Sequence, residues 1–208
     1  MMPAPVLDQR TLALARVAMA VARGDEPAIR DRMRAARGAG APDVWMDELL
    51  LQSLLNVGYP LTLVAFAVWR GIAPRATEGE SLLHGDHGAW ARRGEELCGK
   101  VYGRTYHKLL LNLRELHPAL EALVVVDAYG KMLARPGLDE ARRELCTLAT
   151  ITQLQAPRQL HAHLRGALNV GWKPEDVDAL LVLAEQDLAP ERALKVWEVW
   201  ADVRGRRL

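Results

Sequence analysis

The sequence predicts an all-α fold. Apolar residues recur with helical spacing along most of the chain, β-branched residues never alternate for long, and the second part of the chain resembles the first at a shift of 131 residues. Leu12, Leu14, Ala15, Val17, Ala18, Val21 and Ala22 mark an Ala-rich first helix of the kind that packs closely. Residues 48–66 are apolar apart from Gln52, Ser53, Asn56 and Thr62, and Gly58-Tyr59-Pro60 predicts a break between two helices there. Leu109, Leu110, Leu113 and Leu116 predict another helix, His117-Pro118 a break, and Leu120, Leu123, Val124 and Ala128 the next one. Val124-Val125-Val126 lies within that helical frame. Pro27, Pro118, Pro157, Pro174 and Pro190 stand near expected helix starts, where a missing N–H has no intrahelical bond to lose.

Under the 131-residue shift, Leu14, Ala18, Arg34, Ala36 and Gly40 fall on Leu145, Ala149, Arg165, Ala167 and Gly171. Leu49-Leu50 falls on Leu180-Leu181, Phe66 on Trp197 and Trp69 on Trp200. The comparison predicts one extra residue at the turn Gly171-Trp-Lys-Pro174 relative to Gly40-Ala-Pro42, lost again further on. Each copy is expected to hold a helix, a tight turn, a second helix ending at Gly, a third helix and a short fourth. The division follows: residues 8–74 form a degenerate first unit, 75–93 a Gly- and His-bearing linker, and 94–208 the second unit. Two such units can cover each other's apolar faces about a pseudo-twofold axis.

The chain has 208 residues, with 27 Lys+Arg against 26 Asp+Glu and a formal net charge of +1. Half of it is hydrophobic and a quarter charged, a globular balance that excludes disordered and collagen-like chains. Near-neutrality argues against a dedicated nucleic-acid binder, which needs a basic stripe. Two cysteines, Cys98 and Cys146, are too few for a disulfide framework, and no Cys/His cluster has zinc spacing. His84-Gly-Asp86-His87 has metal-like composition but no fourth ligand, so it reads as linker and no metal is expected. Gly99-x-x-x-Gly103 lacks the Lys-Ser/Thr ending of a phosphate loop. Residues 1–8 do not resemble a signal peptide, and the apolar stretch 59–69 is short of the roughly 20 residues that span a bilayer. A cytoplasmic protein without membrane contact is the expectation.

Several motifs then resemble a known family. Gly94-x6-Val101-Tyr-Gly103-x-x-Tyr106, Tyr129-Gly130-Lys131, Arg135-Pro136-Gly137-Leu138-Asp139, Arg143-Glu144-Leu145, His163 and Ala167-Leu-Asn169-x-Gly171 are similar to the carboxymuconolactone decarboxylase family. The resemblance is strong over 94–204 and weaker over 10–72, as a second copy of the same core. It implies the alkylhydroperoxidase D-like helical fold, a homo-oligomer (trimer, dimer or hexamer), no cofactor, and a small carboxylated lactone or related acid as substrate, of the kind met in aromatic catabolism. The sister branch, the alkylhydroperoxidase D-like proteins, carries Glu-x11-Cys-x2-Cys-x3-His. Placing Glu144 first puts His163 last, but Ala156 and Gln159 stand where the cysteines belong. Thiol–disulfide exchange needs two sulfurs within reach, so these positions cannot support it.

The namesake reaction needs a cation for a carboxylate, donors for a developing enolate oxygen and a proton donor to carbon. Glu144 and His163 are the candidate proton-transfer pair. Burial of Glu144 on a helix over 140–155 would favour its protonated form, although a first-turn Glu can also simply complement the helix dipole or pair with Arg142 or Arg143. His163 suits proton passage at neutral pH; His161, on the same helix, has the wrong spacing. The first copy has Ala13 and Arg32 at the matching positions, so the pair occurs once and the first unit reads as structural.

Arg135, Arg142 and Arg143 are candidate carboxylate clamps, because a guanidinium makes paired hydrogen bonds to a carboxylate. Arg135 could instead pin the Pro136-Gly137 turn. Tyr129 could donate to an enolate oxygen or serve as amphipathic core. Cys146 is either a small core residue or a reactive thiol, and Trp197 and Trp200 are expected to pack between halves or subunits. Three functions stay open: a decarboxylase-like lyase, a non-catalytic oligomeric scaffold or binding paralogue, and a redox protein using Cys146 alone.

Overall fold

The computed structural model describes residues 7–75, 82 and 84–206, all-α with no strand among the described residues. The reading of residues 1–6 and of Gly79 lies outside the described residues. The first copy is α1 (Gln9–Arg23), α2 (Glu26–Gly38) and α3 (Asp43–Arg70). Helices α4 (His87–Tyr102), α5 (Tyr106–Leu116) and α6 (Leu120–Ala122), the last running into a π-helix at Leu123–Leu133, come next. The second copy is α7 (Glu140–Thr152), α8 (Pro157–Asn169), α9 (Pro174–Glu185) and α10 (Pro190–Gly205).

A shift of 131 residues carries both bounds of α2 onto those of α8, and the starts of α1 and α3 onto α7 and α9. The cause is shared local chemistry. Asp8 and Asp139 cap α1 and α7 by accepting from the backbone N–H of Thr11 and Arg142. Gly40 and Gly171 take positive φ (83° and 107°), which lets the Ala41 and Trp172 N–H reach back to Ala36 and Ala167. The register is unbroken through this turn, so the extra residue expected at 171–174 is not there. Instead the prolines sit one step apart, Pro42 at the cap of α3 and Pro174 at the first residue of α9.

Two Trp–Asp bonds repeat with the same shift. Trp69 Nε1 donates to Asp47 Oδ1 at 2.8 Å, and Trp200 Nε1 donates to Asp178 Oδ1 at 2.6 Å. Trp200 is thus bound within its own copy, as is Trp197, which donates to Glu185. The expected break at 58–60 falls at Gly58 (φ 71°, ψ 178°), which interrupts α3 where the second copy separates α9 from α10.

Equivalent helices α1 and α7 pack on each other at the centre, where Leu14, Ala18, Leu145 and Ala149 are fully buried. Truncating such a leucine to Ala costs about 2–5 kcal/mol in comparable cores.

The segment 75–93 is only partly linker, because α4 begins at His87. Asp86 caps it by accepting from the Gly88 N–H. Helix α4 crosses the π-helix at backbone contact: a Cβ on Gly94 would lie 1.9 Å from the Val125 carbonyl oxygen, and one on Gly130 would lie 2.1 Å from that of Trp90. Glycine at both positions is what permits the crossing.

The apolar span of α3 is longer than 59–69: residues 49–69 contain no Asp, Glu, Lys or Arg, and α3 is long and apolar enough to cross a membrane. In this fold its first half instead enters the core. Asp47 pairs with Arg70, and buried Glu48 pairs with Arg135 and Arg143.

Candidate functional site

Glu144 lies in the second turn of α7 and His163 in the middle of α8. The short connection through Ala156-Pro157 folds these helices against each other. Glu144 Oε1 meets His163 Nδ1 at 2.8 Å, with side-chain exposures of only 3% and 13%. Room for the carboxylate comes from Gly166, one turn beyond: a Cβ there would stand 2.3 Å from Glu144 Oε1. The first copy has Ala35 at the position of Gly166 and Ala13 at that of Glu144.

Burial acts to lower the His163 pKa. The charge and hydrogen bond of Glu144 outweigh it, so the net shift is upward from the ordinary 6.5. With Nδ1 held by Glu144, Nε2 has no hydrogen-bond partner among the described residues and is the nitrogen left to exchange a proton.

Two tyrosines and a cysteine close this centre. Tyr102 stands edge-on to His163 (ring centroids 6.5 Å apart) and to Tyr129 (6.3 Å). The Asn169 side chain, donating to the Val101 carbonyl at 2.7 Å, holds the end of α4 that carries Tyr102. The hydroxyl of Tyr129 is buried without a hydrogen bond of ordinary geometry. Burial pushes the phenols of Tyr102 and Tyr129 upward, and the neighbouring charge of Glu144 adds to it. Cys98 is fully buried, and burial, then Glu144, raises its thiol to about 12. A neutral thiol of this kind is filling, not nucleophile.

Tyr129 is therefore gathered to Glu144 and His163, and Tyr102 and Cys98 join it unforeseen. Tyr102 stood inside the Val101-Tyr-Gly103 motif, so its signal was present. The exchange of Ala35 for Gly166 between copies was the other available sign.

The three arginines are not brought to this centre. Arg135 Nε bonds Glu48 at 3.1 Å, and Arg143 Nη2 bonds the same carboxylate at 2.8 Å. Arg143 also donates to the Leu138 and Arg135 carbonyls and to Gln52. Arg142 is held by Asp139 and Thr11 and stacks on Trp45, its guanidinium carbon 4.4 Å from the ring centroid. Their carboxylate-clamping geometry is real, but for Arg135 and Arg143 the carboxylate is the protein's own Glu48. A buried guanidinium needs a fixed counter-charge, and α3 of the first copy supplies it. Arg135 also contributes to the wall of an open cleft of about 770 Å3 whose lining includes neither Glu144 nor His163. Cys146 is fully buried on α7, its thiol pushed up to about 12 by burial and then by Asp139, which leaves a lone-thiol redox role without a thiolate.

The profile of the carboxymuconolactone decarboxylase family matches residues 2–71 and again 121–202. Peroxisomal protein 2 of Saccharomyces cerevisiae is 31% identical over 85 residues, which cover 40% of this chain and 30% of that protein. The aligned stretch thus spans less than a third of that curated relative.

Proposed function

Because the chain belongs to the carboxymuconolactone decarboxylase family, we propose that it catalyses cofactor-free proton transfer, of the decarboxylating kind, on a small carboxylated lactone or related acid. The observation that supports this reading is the buried 2.8 Å contact between Glu144 and His163. In such a reaction the bond to the carboxylate breaks, CO2 leaves, and its electron pair enters the conjugated lactone carbonyl as an enolate. Collapse of the enolate requires a proton at ring carbon. His163 Nε2 delivers it, while Glu144 favours the charged imidazole and orients it. Tyr102, whose ring stands at the edge of the imidazole, would donate to the enolate oxygen in this reading.

Self-association belongs to the same proposal. Beyond the kink in α3, Tyr59 and Leu63 lie one turn apart and remain largely exposed, as an apolar face does before a partner covers it.

The test is turnover of carboxymuconolactone by the intact protein, followed by CO2 release and by deuterium incorporation at ring carbon. Glu144→Gln and His163→Gln should each lose about 100-fold or more, within the usual range for removing a general acid. Undiminished rates in both variants would overturn the reading. No turnover by the parent protein would favour a non-catalytic paralogue.

A further inference from the structure

We infer that the groove between α5 and α8 is a binding site for an amphiphilic organic anion, a carboxylate carrying a hydrocarbon body of roughly eight to ten carbons. This goes beyond the proton-transfer reading of Glu144 and His163: the groove is a second site, and its lining includes neither of those residues.

Three observations carry it. First, α5 is amphipathic but unburied: it carries Leu109, Leu113 and Leu116 along one face, yet none of its residues is fully buried. Those leucines instead line a groove of about 360 Å3, opposite Ala162 of α8. Second, the polar part of the same wall is cationic. Among the described residues, Lys108 and Arg158 contribute to it with no ion-pair partner, Arg165 adds a third positive charge, and no Asp or Glu lines the groove. An apolar wall with a cationic edge complements a hydrocarbon bearing a carboxylate, and matches poorly to a small polar diacid, which would leave the leucines in water. Third, Tyr102 belongs both to the groove wall and to the buried centre, with its ring 6.5 Å from that of His163. The groove therefore abuts the proton-transfer pair through one aromatic side chain. Gln159, also in the wall, occupies one of the two positions where the sister branch has cysteine.

In this arrangement Lys108 and Arg158 hold the carboxylate, the leucines of α5 cover the chain, and Tyr102 separates the bound acid from His163.

The experiment is calorimetric titration of the intact protein with decanoate and, separately, with hexanedioate, together with the NMR signals of the His163 ring. Decanoate should saturate below about 10 mM with one site per chain, bind about tenfold or more tighter than hexanedioate, and shift the His163 resonances. Arg158→Glu and Lys108→Glu should each weaken it by about tenfold, and Leu113→Asp should abolish it. All three positions are at or near the surface, and an unchanged helical circular dichroism spectrum verifies that each variant folds. Absence of saturation, or affinity unaffected by all three substitutions, overturns the inference. So does a result in which decanoate fails to bind and Leu113→Asp lowers the oligomeric state, because a second copy would then own the groove. Glu144→Gln keeps the two proposals apart: decanoate binding that persists in it, with no lactone turnover by the parent protein, sinks the catalytic reading alone. Turnover lost in Glu144→Gln, with no decanoate binding in the parent protein, sinks this one alone.

Discussion

Arg142 donates a hydrogen bond to the hydroxyl of Thr11 at 3.0 Å, across a sequence separation of 131 residues. That separation is also the repeat length, so the two residues are each other's counterparts, both three positions beyond a capping Asp. Equivalent positions of α1 and α7 therefore meet where these helices pack. Elsewhere the copies differ, as at Glu144, His163 and Gly166.

The His163 imidazole should titrate above 6.5, with the sign set by Glu144. In Glu144→Gln the raising cause is gone and burial remains, so the midpoint should fall below 6.5. Because the folded value lies above the unfolded one, the pair's contribution to stability is complete below the unfolded pKa and fades as pH rises through the folded one. The stability lost in His163→Gln should therefore be larger at about pH 5.5 than at about pH 8.5. NMR titration and urea midpoints at the two pH values measure both effects.

Gly166→Ala should break the Glu144–His163 contact without touching either residue. Its Cβ would fall 2.3 Å from the carboxylate and 2.9 Å from Val101, a clash worth about 1–3 kcal/mol. The double variant Gly166→Ala/Glu144→Ala recreates the first copy's Ala35 and Ala13, and should regain most of that stability while remaining inactive. Additive losses in a double-variant cycle would count against this account.

Glu48→Gln should destabilise the fold by about 3–5 kcal/mol, the scale for stripping one partner from a buried ion pair, because Arg135 and Arg143 both depend on that carboxylate. Denaturant unfolding measures it. A loss below about 1 kcal/mol would mean that the guanidinium groups find other partners or water.

Both thiols should resist alkylation in the folded protein at about pH 8 and react together once denaturant is added, since burial raises each to about 12. Mass spectrometry after a timed iodoacetamide pulse reads this directly. Rapid labelling of Cys146 in the native state would revive a redox role for it.

The helices, their breaks and the repeat were legible because they depend on local chemistry: Leu14 and Leu145 in phase, Gly40 and Gly171 at matching turns. So was the pairing of Glu144 with His163, since one short turn joins their helices. Membership of Tyr102 and Cys98 in that centre was not, because it depends on how α4 crosses the π-helix, and the crossing is set by Gly94 and Gly130 meeting distant carbonyls. The placement of Arg135 and Arg143 was not legible for a related reason. Their partner, Glu48, lies 87 and 95 residues away, and no spacing rule reports a contact of that range.

Glu48 has a consequence for how the two copies could ever be parted. A fragment ending before residue 75 would carry that acid into its interior with nothing to neutralise it. One beginning at residue 75 would hold two guanidinium ions without their anion. The two parts are thus mutually dependent: the first copy, with Arg32 where the second has His163, supplies the counter-ion for two buried guanidinium groups in the rest of the chain.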